Sequence, residues 1–499
     1  MKIAKPLIIA IFSIIILTGC SSDNAKKQPG PTPTCTCTPT PWPTKTPTPS
    51  PTPLLAPDWD RKMVYYNDFA EGHEIPIISV YPEDRKTVTS REEYVTCIVD
   101  VFNCDEEFEI VEALAGIKVR GNSSAYYGDV SQILANTVPY RIKFDVKTNV
   151  LGLNDGAECK SWVLLKTDWD LIRNHISLKL GQEIVNDGAY CSDSTLVYLY
   201  LNEKFQGIYV LCEQSQVNEN RVNINEPKEG YTGTDIGYFL EIDNYASSEL
   251  DGKYFVQNYA EGTVTDISGV TRAFEAAEYS IKSDTYSKEQ VDFIDQYMNN
   301  LFSVIYEACV NQTYYGLSED GCFTETEITN AKELISQYVD LDSLVNMYIL
   351  HEICHTYDCG EGSFYMCIDF SEGSTCPKLQ FTSPWDFNWG YYDNDPAWGK
   401  YYAGAFQSQS FVNQYGDRSN PWFILFMTQD WFVEMVKARW SELRASGVLD
   451  TVMDDEVTYL ETYKDDLNIK ESWAVDCAYI LLDSIETRMS WFDSVWLEQ

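Results

Sequence analysis

Two groups of residues between positions 348 and 388 are equipped for chemistry. In "YILHEICHTYD", His351, Glu352 and His355 stand in H-E-x-x-H spacing, in a chain with four histidines. On a helix this spacing puts two imidazoles one turn apart beside a zinc ion, with the glutamate placed as general base. A zinc peptidase also needs a third protein ligand, and His73 and His175 lie far upstream. The extended three-histidine pattern fails, because Asp358 and Glu361 occupy the places of its glycine and last ligand. That leaves Glu361 or Glu372 to complete a site. The bland alternative is that Leu341, Leu344, Tyr348, His351 and His355, spaced three and four apart, form one apolar stripe facing a core.

The second group is a pair of acids. "YDCGEGSFYMCIDF" leaves the helix at Asp358 and enters a strand from about Ser363 to Phe370. "SEGSTCP" turns the chain, and "KLQFTSPWDFNW" returns it to Asp386. The start of one strand and the end of its antiparallel partner share an edge, so the hairpin predicts Asp358 and Asp386 close together. Two carboxylates at one mouth suit phosphate chemistry, one taking a hydroxyl proton while the other holds a divalent cation.

The elements that must position these residues fall into two regimes. From Asp58 to about Tyr245, short runs such as "PYRIKFDV", "SWVLLKT", "TLVYLYLN", "GIYVLCE" and "GYFLEIDNY" read as strands, interrupted by one helix over about 169–187. From Ser287 the apolar spacing changes to three and four, predicting amphipathic helices over "SKEQVDFIDQYMNNLFSVIYEA" and "NAKELISQYVDLDSLVNMYILHEICHTYD". The expectation is an α+β protein of two lobes, sheet-rich over 58–245 and helical over 246–499, with a hairpin embedded in the second.

The ends of the chain and its charge bound the function. "MKIAKPLIIAIFSIIILTGC" has a basic start, an apolar stretch and small residues before Cys20, as an export signal does. Leu17-Thr18-Gly19-Cys20 resembles a bacterial lipobox, which implies cleavage before Cys20 and diacylation of its sulfur, with the mature protein on the outer face of the membrane. Residues 21–57, rich in Pro and Thr, read as a stiff spacer. Acidic residues outnumber basic ones 76 to 36, and a net charge of −40 excludes nucleic acid as a main partner. Of fifteen cysteines, Cys97 with Cys104 and Cys309 with Cys322 are the sequence-local candidates for disulfides in an exported protein.

The motifs, taken in order, are similar to those of the spore coat protein H (CotH) kinase family: "IKVRGNSS", "PYRIKFD", "LGL" with "WVLLKTDWDLIRN", "VYLYLNEKFQGIYVLCEQ", "GYFLEID", the helix ending at Asp358, and "PWDFNW". The resemblance runs from about residue 75 to the C-terminal helices. It implies an atypical protein-kinase-like fold, ATP with Mg or Mn as cofactors, and phosphate transfer to Ser or Thr. Carried over by position, Asp358 is implied as the catalytic acid and Asp386 as the metal ligand, with Asn388 and Ser363 at further metal positions. Arg120 and Ser123 of "RGNSS" are implied beside the phosphates. Lys143 and Lys166 are candidates for the phosphate-contacting lysine and Glu213 for its carboxylate partner, while Arg173 and Asn174 match the family's Arg-Asn pair. The chain departs from the family at Asn388, where a second aspartate is usual, and at Ser363 and Thr356, which replace asparagines. It also lacks lysines before Pro139.

Three functions follow in order: a surface kinase acting on a surface or secreted protein, a catalytically silent surface scaffold, and a zinc peptidase through His351, Glu352 and His355.

Overall fold

A computed structural model describes residues 73–185, 188–249, 252–259, 263–265, 271–356, 358–391 and 420–497. The export-type segment, Cys20, the Pro/Thr tract and the aromatic run past Tyr391 lie outside the described residues. Among the described residues no helix is long and apolar enough to cross a membrane.

Seven strands open the fold: β1 (Ile77–Pro82), β2 (Val95–Phe102), β3 (Ile110–Val119), β4 (Tyr140–Thr148), β5 (Cys159–Lys166), β6 (Ser194–Leu201) and β7 (Lys204–Glu213). They form a closed barrel in the order β1-β2-β3-β4-β5-β7-β6. Parallel pairing of β1 with β6, Ile77 opposite Tyr198, closes it. Strict alternation sets the faces. On β4, Tyr140, Ile142 and Phe144 are buried while Arg141, Lys143 and Asp145 point outward. On β5 the alternation is lost because both faces are covered. Trp162 and Leu164 fill the barrel, whereas Val163 and Leu165 join the main core on the other side.

After the short helix α1 (Val130–Ala135), between β3 and β4, that outer side of the barrel meets helix α2 (Arg173–Val185), which follows β5 and is buried along most of its length. A second, five-stranded sheet comprises β8 (Gly237–Asp243), β9 (Tyr254–Gln257), β12 (Ala277–Ile281), β15 (Gly362–Asp369) and β16 (Gln380–Phe381), in the order β16-β15-β8-β12-β9. Two short ribbons, β10 (Thr263–Thr265) with β11 (Thr271–Ala273) and β13 (Gly316–Leu317) with β14 (Phe323–Thr324), lie outside both sheets. The second sheet draws strands from either side of residue 245, so the sheet-rich first half and the helical second half share one layer.

Helix α3 (Lys288–Tyr306) begins at a capping box in which Ser287 Oγ accepts from Gln290 N and the Gln290 amide oxygen accepts from Ser287 N. Helix α4 (Leu341–Cys354) starts at Asp340, whose carboxylate accepts from Ser343 N at 3.2 Å. The single long helix expected from Asn330 is thus divided. Nor is α4 amphipathic: nearly every residue is buried, because α2, β16 and two later helices surround it. The C-terminal helices are α5 (Pro421–Phe426), α6 (Asp430–Ser446), α7 (Val448–Thr462) and α8 (Ala474–Trp496).

Candidate functional site

The loop that follows β16 carries Asp386, and α2 fixes its shape. Arg173, at the first turn of α2, donates from Nη1 to the carbonyls of Asn388 (2.7 Å) and Gly390 (3.4 Å). The same guanidinium is anchored by fully buried Asp170, whose Oδ2 accepts from Nε at 2.9 Å and from Nη2 at 2.7 Å. Asn174, next on the helix, accepts from Phe387 N (3.0 Å) and donates to Asn388 Oδ1 (3.1 Å). Within this frame Asp386 adopts a left-handed φ of 60° and Asn388 N donates to its Oδ1 at 3.4 Å. Burial pushes the Asp386 carboxyl above its usual range, opposed by the guanidinium of Arg120. Arg120 lies over the Trp385 ring, 5.2 Å from its centroid.

Arg120 leads into the turn "GNSS" after β3. Gly121 has φ +91°, and a Cβ there would come 2.2 Å from Ser124 Oγ, so only glycine fits. The turn forms one wall of a cleft of about 550 Å³. Ser123 and Ser124 line it from the turn, Lys166 from the end of β5, Asp168 and Arg173 from the segment entering α2, and Asp386, Asn388 and Tyr391 from the loop. Leu481 and Ser484 of α8 close the far side, and Trp169 and Trp389 stand at it about half exposed. Lys166 Nζ lies 5.4 Å from the centroid of Tyr126, which belongs to the same turn.

The remaining sequence candidates fall elsewhere. Two ladder rungs, Met366 with Phe381 and Cys367 with Gln380, form the expected hairpin. Asp358 precedes it in a turn, its carbonyl accepting from Glu361 N (2.8 Å) and Gly362 N (3.2 Å). It is half-buried, and its charge bears on the thiol of Cys359, which burial raises in the first place. Ser363 occupies a bulge in β15 with φ 56°. Lys143 is exposed on the outward face of β4, away from the cleft lining. Glu213 is fully buried at the end of β7, but its partner is not a lysine. Its Oε1 accepts from Arg221 Nε at 3.1 Å and from Asn154 Nδ2 at 3.1 Å.

The lysine–glutamate pair beside Asp386 is Lys282–Glu241, with Nζ 2.7 Å from Oε2. Burial works against the Lys282 charge, and the Glu241 carboxylate outweighs it, so the ammonium is held above its ordinary range. Glu241 in turn opposes ionisation of Asp386. Sequence reading passed over Lys282 because it follows a short strand without a motif around it. Asp168 was passed over as well, although it sits in the quoted "KTDWDLIRN".

The H-E-x-x-H spacing does not become a zinc site here. His355 takes a left-handed φ of 49° and caps α4, so the second imidazole leaves the helical turn the motif requires. His351 is sealed among Phe364, Phe387 and Phe423, with ring centroids 5.5, 5.9 and 6.0 Å away. Glu352 Oε2 is taken by Arg488 Nη2 at 2.5 Å. Among the described residues no three His, Cys, Asp or Glu side chains are grouped to hold a metal. Cys97, Cys104, Cys309 and Cys322 are all free thiols. Cys97 is buried in the barrel core, against which Cys104 also packs, and the two sulfurs are not linked. The sulfurs of Cys367 and Cys376 lie 3.6 Å apart.

Residues 117–463 match the model of the CotH kinase protein family. The chain belongs to that family. No curated protein matches it. Membership of the CotH kinase family points to a kinase, and kinases use a nucleotide with a divalent cation. The cleft fits that pair by its donors: hard carboxylate oxygens of Asp386 and Asp168, serine hydroxyls, and the cations Lys166 and Arg173.

Proposed function

We propose that this CotH-family protein is an ATP-dependent kinase that phosphorylates Ser or Thr of an extracytoplasmic protein while tethered to the membrane through a lipid on Cys20. The observation that carries the reading is one cleft of about 550 Å³ lined at once by half-buried Asp386, by Lys166 and by Ser123 and Ser124 of the turn. Acid and cation line the same cleft, the combination that nucleotide phosphates with their counter-ion require.

The roles follow from the side chains. Asp386 and its neighbours hold Mg or Mn, which when bound draws charge from the phosphate oxygens. Lys166 neutralises a non-bridging phosphate oxygen from the opposite wall, and the hydroxyl and amide of Ser123 cap another. Arg120, stacked on Trp385, adds positive potential behind Asp386. Lys282, held by Glu241, does the same from the second sheet. Asp358, in the turn before β15 and outside the cleft lining, is assigned the proton of the acceptor hydroxyl by its position in the family motif. Arg173 and Asn174 keep the loop in register and touch no reacting atom.

The test is incubation of the purified full-length chain with γ-labelled ATP and Mg or Mn, using exported proteins of the same source as acceptors. Label is expected on a Ser or Thr, and Asp386→Asn is expected to lower transfer at least 100-fold, the scale on which a charge-stabilising group acts. Failure to bind nucleotide and to transfer phosphate with either metal removes the kinase reading and leaves the silent scaffold.

A further inference from the structure

Asn388 joins two carboxylates. Its backbone N–H donates to Asp386 Oδ1 at 3.4 Å, and its side-chain amide donates to Asp168 Oδ2 at 2.6 Å. Both acids line the cleft, and among the described lining residues they are its two carboxylates. We propose that Asp168 is the second carboxylate of the cation site, facing the ion together with Asp386, and that Asn388 is the neutral spacer that holds the two acids apart.

The contacts of each group support this division. Arg173 is the obvious competitor for Asp168, but its short bonds go to Asp170 and to the carbonyl of Asn388, and its Nε stays 3.8 Å from Asp168 Oδ2. The ion pair that Asp168 makes with Arg173 is thus a long one, and the short bonds of the guanidinium go elsewhere. The Asp168 side chain is 26% exposed, enough to meet a hydrated cation from the cleft. Asn388, by contrast, is spoken for at both ends, its Nδ2 by Asp168 and its Oδ1 by Asn174. An amide is the group that meets both demands, since a carboxylate at 388 would accept from Asn174 yet meet Asp168 with like charge. Position 168 stands near the barrel's edge and position 388 on the distant loop, so neither strand pattern nor motif order brings them together.

The site rests on the kinase reading only for the identity of its nucleotide, and its test is cation binding. Mn²⁺ affinity of the full-length protein is measured by titration followed by the electron paramagnetic resonance of free Mn²⁺, with thermal unfolding alongside. Asp168→Asn is expected to weaken Mn²⁺ at least tenfold. The swap D168N/N388D returns a carboxylate to the pair while keeping an amide opposite it, and Asn174 can donate to either residue at 388. It is expected to recover affinity to within about threefold of wild type. Wild-type affinity in D168N overturns the assignment, as does a wild type that binds no Mn²⁺, or a swap variant with a wild-type unfolding midpoint and no recovery. If the swap variant fails to fold, the D168N result alone decides. Phosphate transfer by a wild type whose Mn²⁺ affinity ignores Asp168 leaves the kinase standing and removes this site. Mn²⁺ binding through Asp168 without transfer does the reverse.

Discussion

His351 brings two ring nitrogens into a box of phenyl rings, and neither nitrogen has a hydrogen-bond partner among the described residues. Burial drives its pKa down to about 3. In the unfolded chain an ordinary histidine titrates near 6.5. Between those values the unfolded chain takes up a proton that the folded protein refuses. Stability linked to His351 is therefore present at neutral pH and lost as pH falls, by at most about 1.4 kcal/mol per unit. His351→Phe removes both the titration and the unpaired nitrogens. It is expected to raise stability at pH 7 by about 1 kcal/mol, and by about 2 kcal/mol more at pH 5. Urea unfolding of both proteins at the two pH values checks this, and an equal loss from pH 7 to pH 5 in the two would refute it. The spacing of His351 and His355 was plain in the sequence. That position 355 turns left-handed was not, because the motif carries no glycine or proline to announce the end of α4.

At the level of elements, the strand runs were legible because barrel strands alternate cleanly where one face meets solvent, as on β4. The hairpin of β15 and β16 was legible from its turn residues. The frame around Asp386 was not legible, since it depends on α2 meeting a loop more than two hundred positions away. Glu213 shows the same limit. Its partner, Arg221, lies eight residues on in a stretch with no periodic pattern, so a strand lysine was the nearer guess. The α2 contact makes a specific prediction. Arg173→Lys keeps a positive charge near buried Asp170 but has no planar fork to reach the carbonyls of Asn388 and Gly390. It is expected to cost about 1–3 kcal/mol in stability and to weaken nucleotide binding about tenfold. Full nucleotide affinity in a folded R173K protein would show that the loop holds its shape without the fork.

For the molecule as a whole, the acidic composition argued against nucleic acid as a partner and motif order indicated the family, yet neither reveals what the last helix does. Residues 474–496 lie beyond the family match, which ends at 463. Helix α8 nevertheless forms one side of the cleft with Leu481 and Ser484, and from its next turn sends Arg488 into the core. There the guanidinium bonds both the side chain and the backbone carbonyl of Glu352, in the last turn of α4. Glu352 is fully buried, and although Arg488, 136 positions later, and Tyr348 both favour its charge, burial pushes its carboxyl up to about 8. Arg488→Met leaves that carboxylate alone and is expected to destabilise the protein by about 3–5 kcal/mol. Adding Glu352→Gln removes the stranded charge, so the double variant should recover more than half of the loss although it has lost both ions. Chemical denaturation of the two variants reads the difference. If the double variant is no more stable than R488M, α8 is held to the fold by its apolar face, and the pair contributes little to closing the cleft.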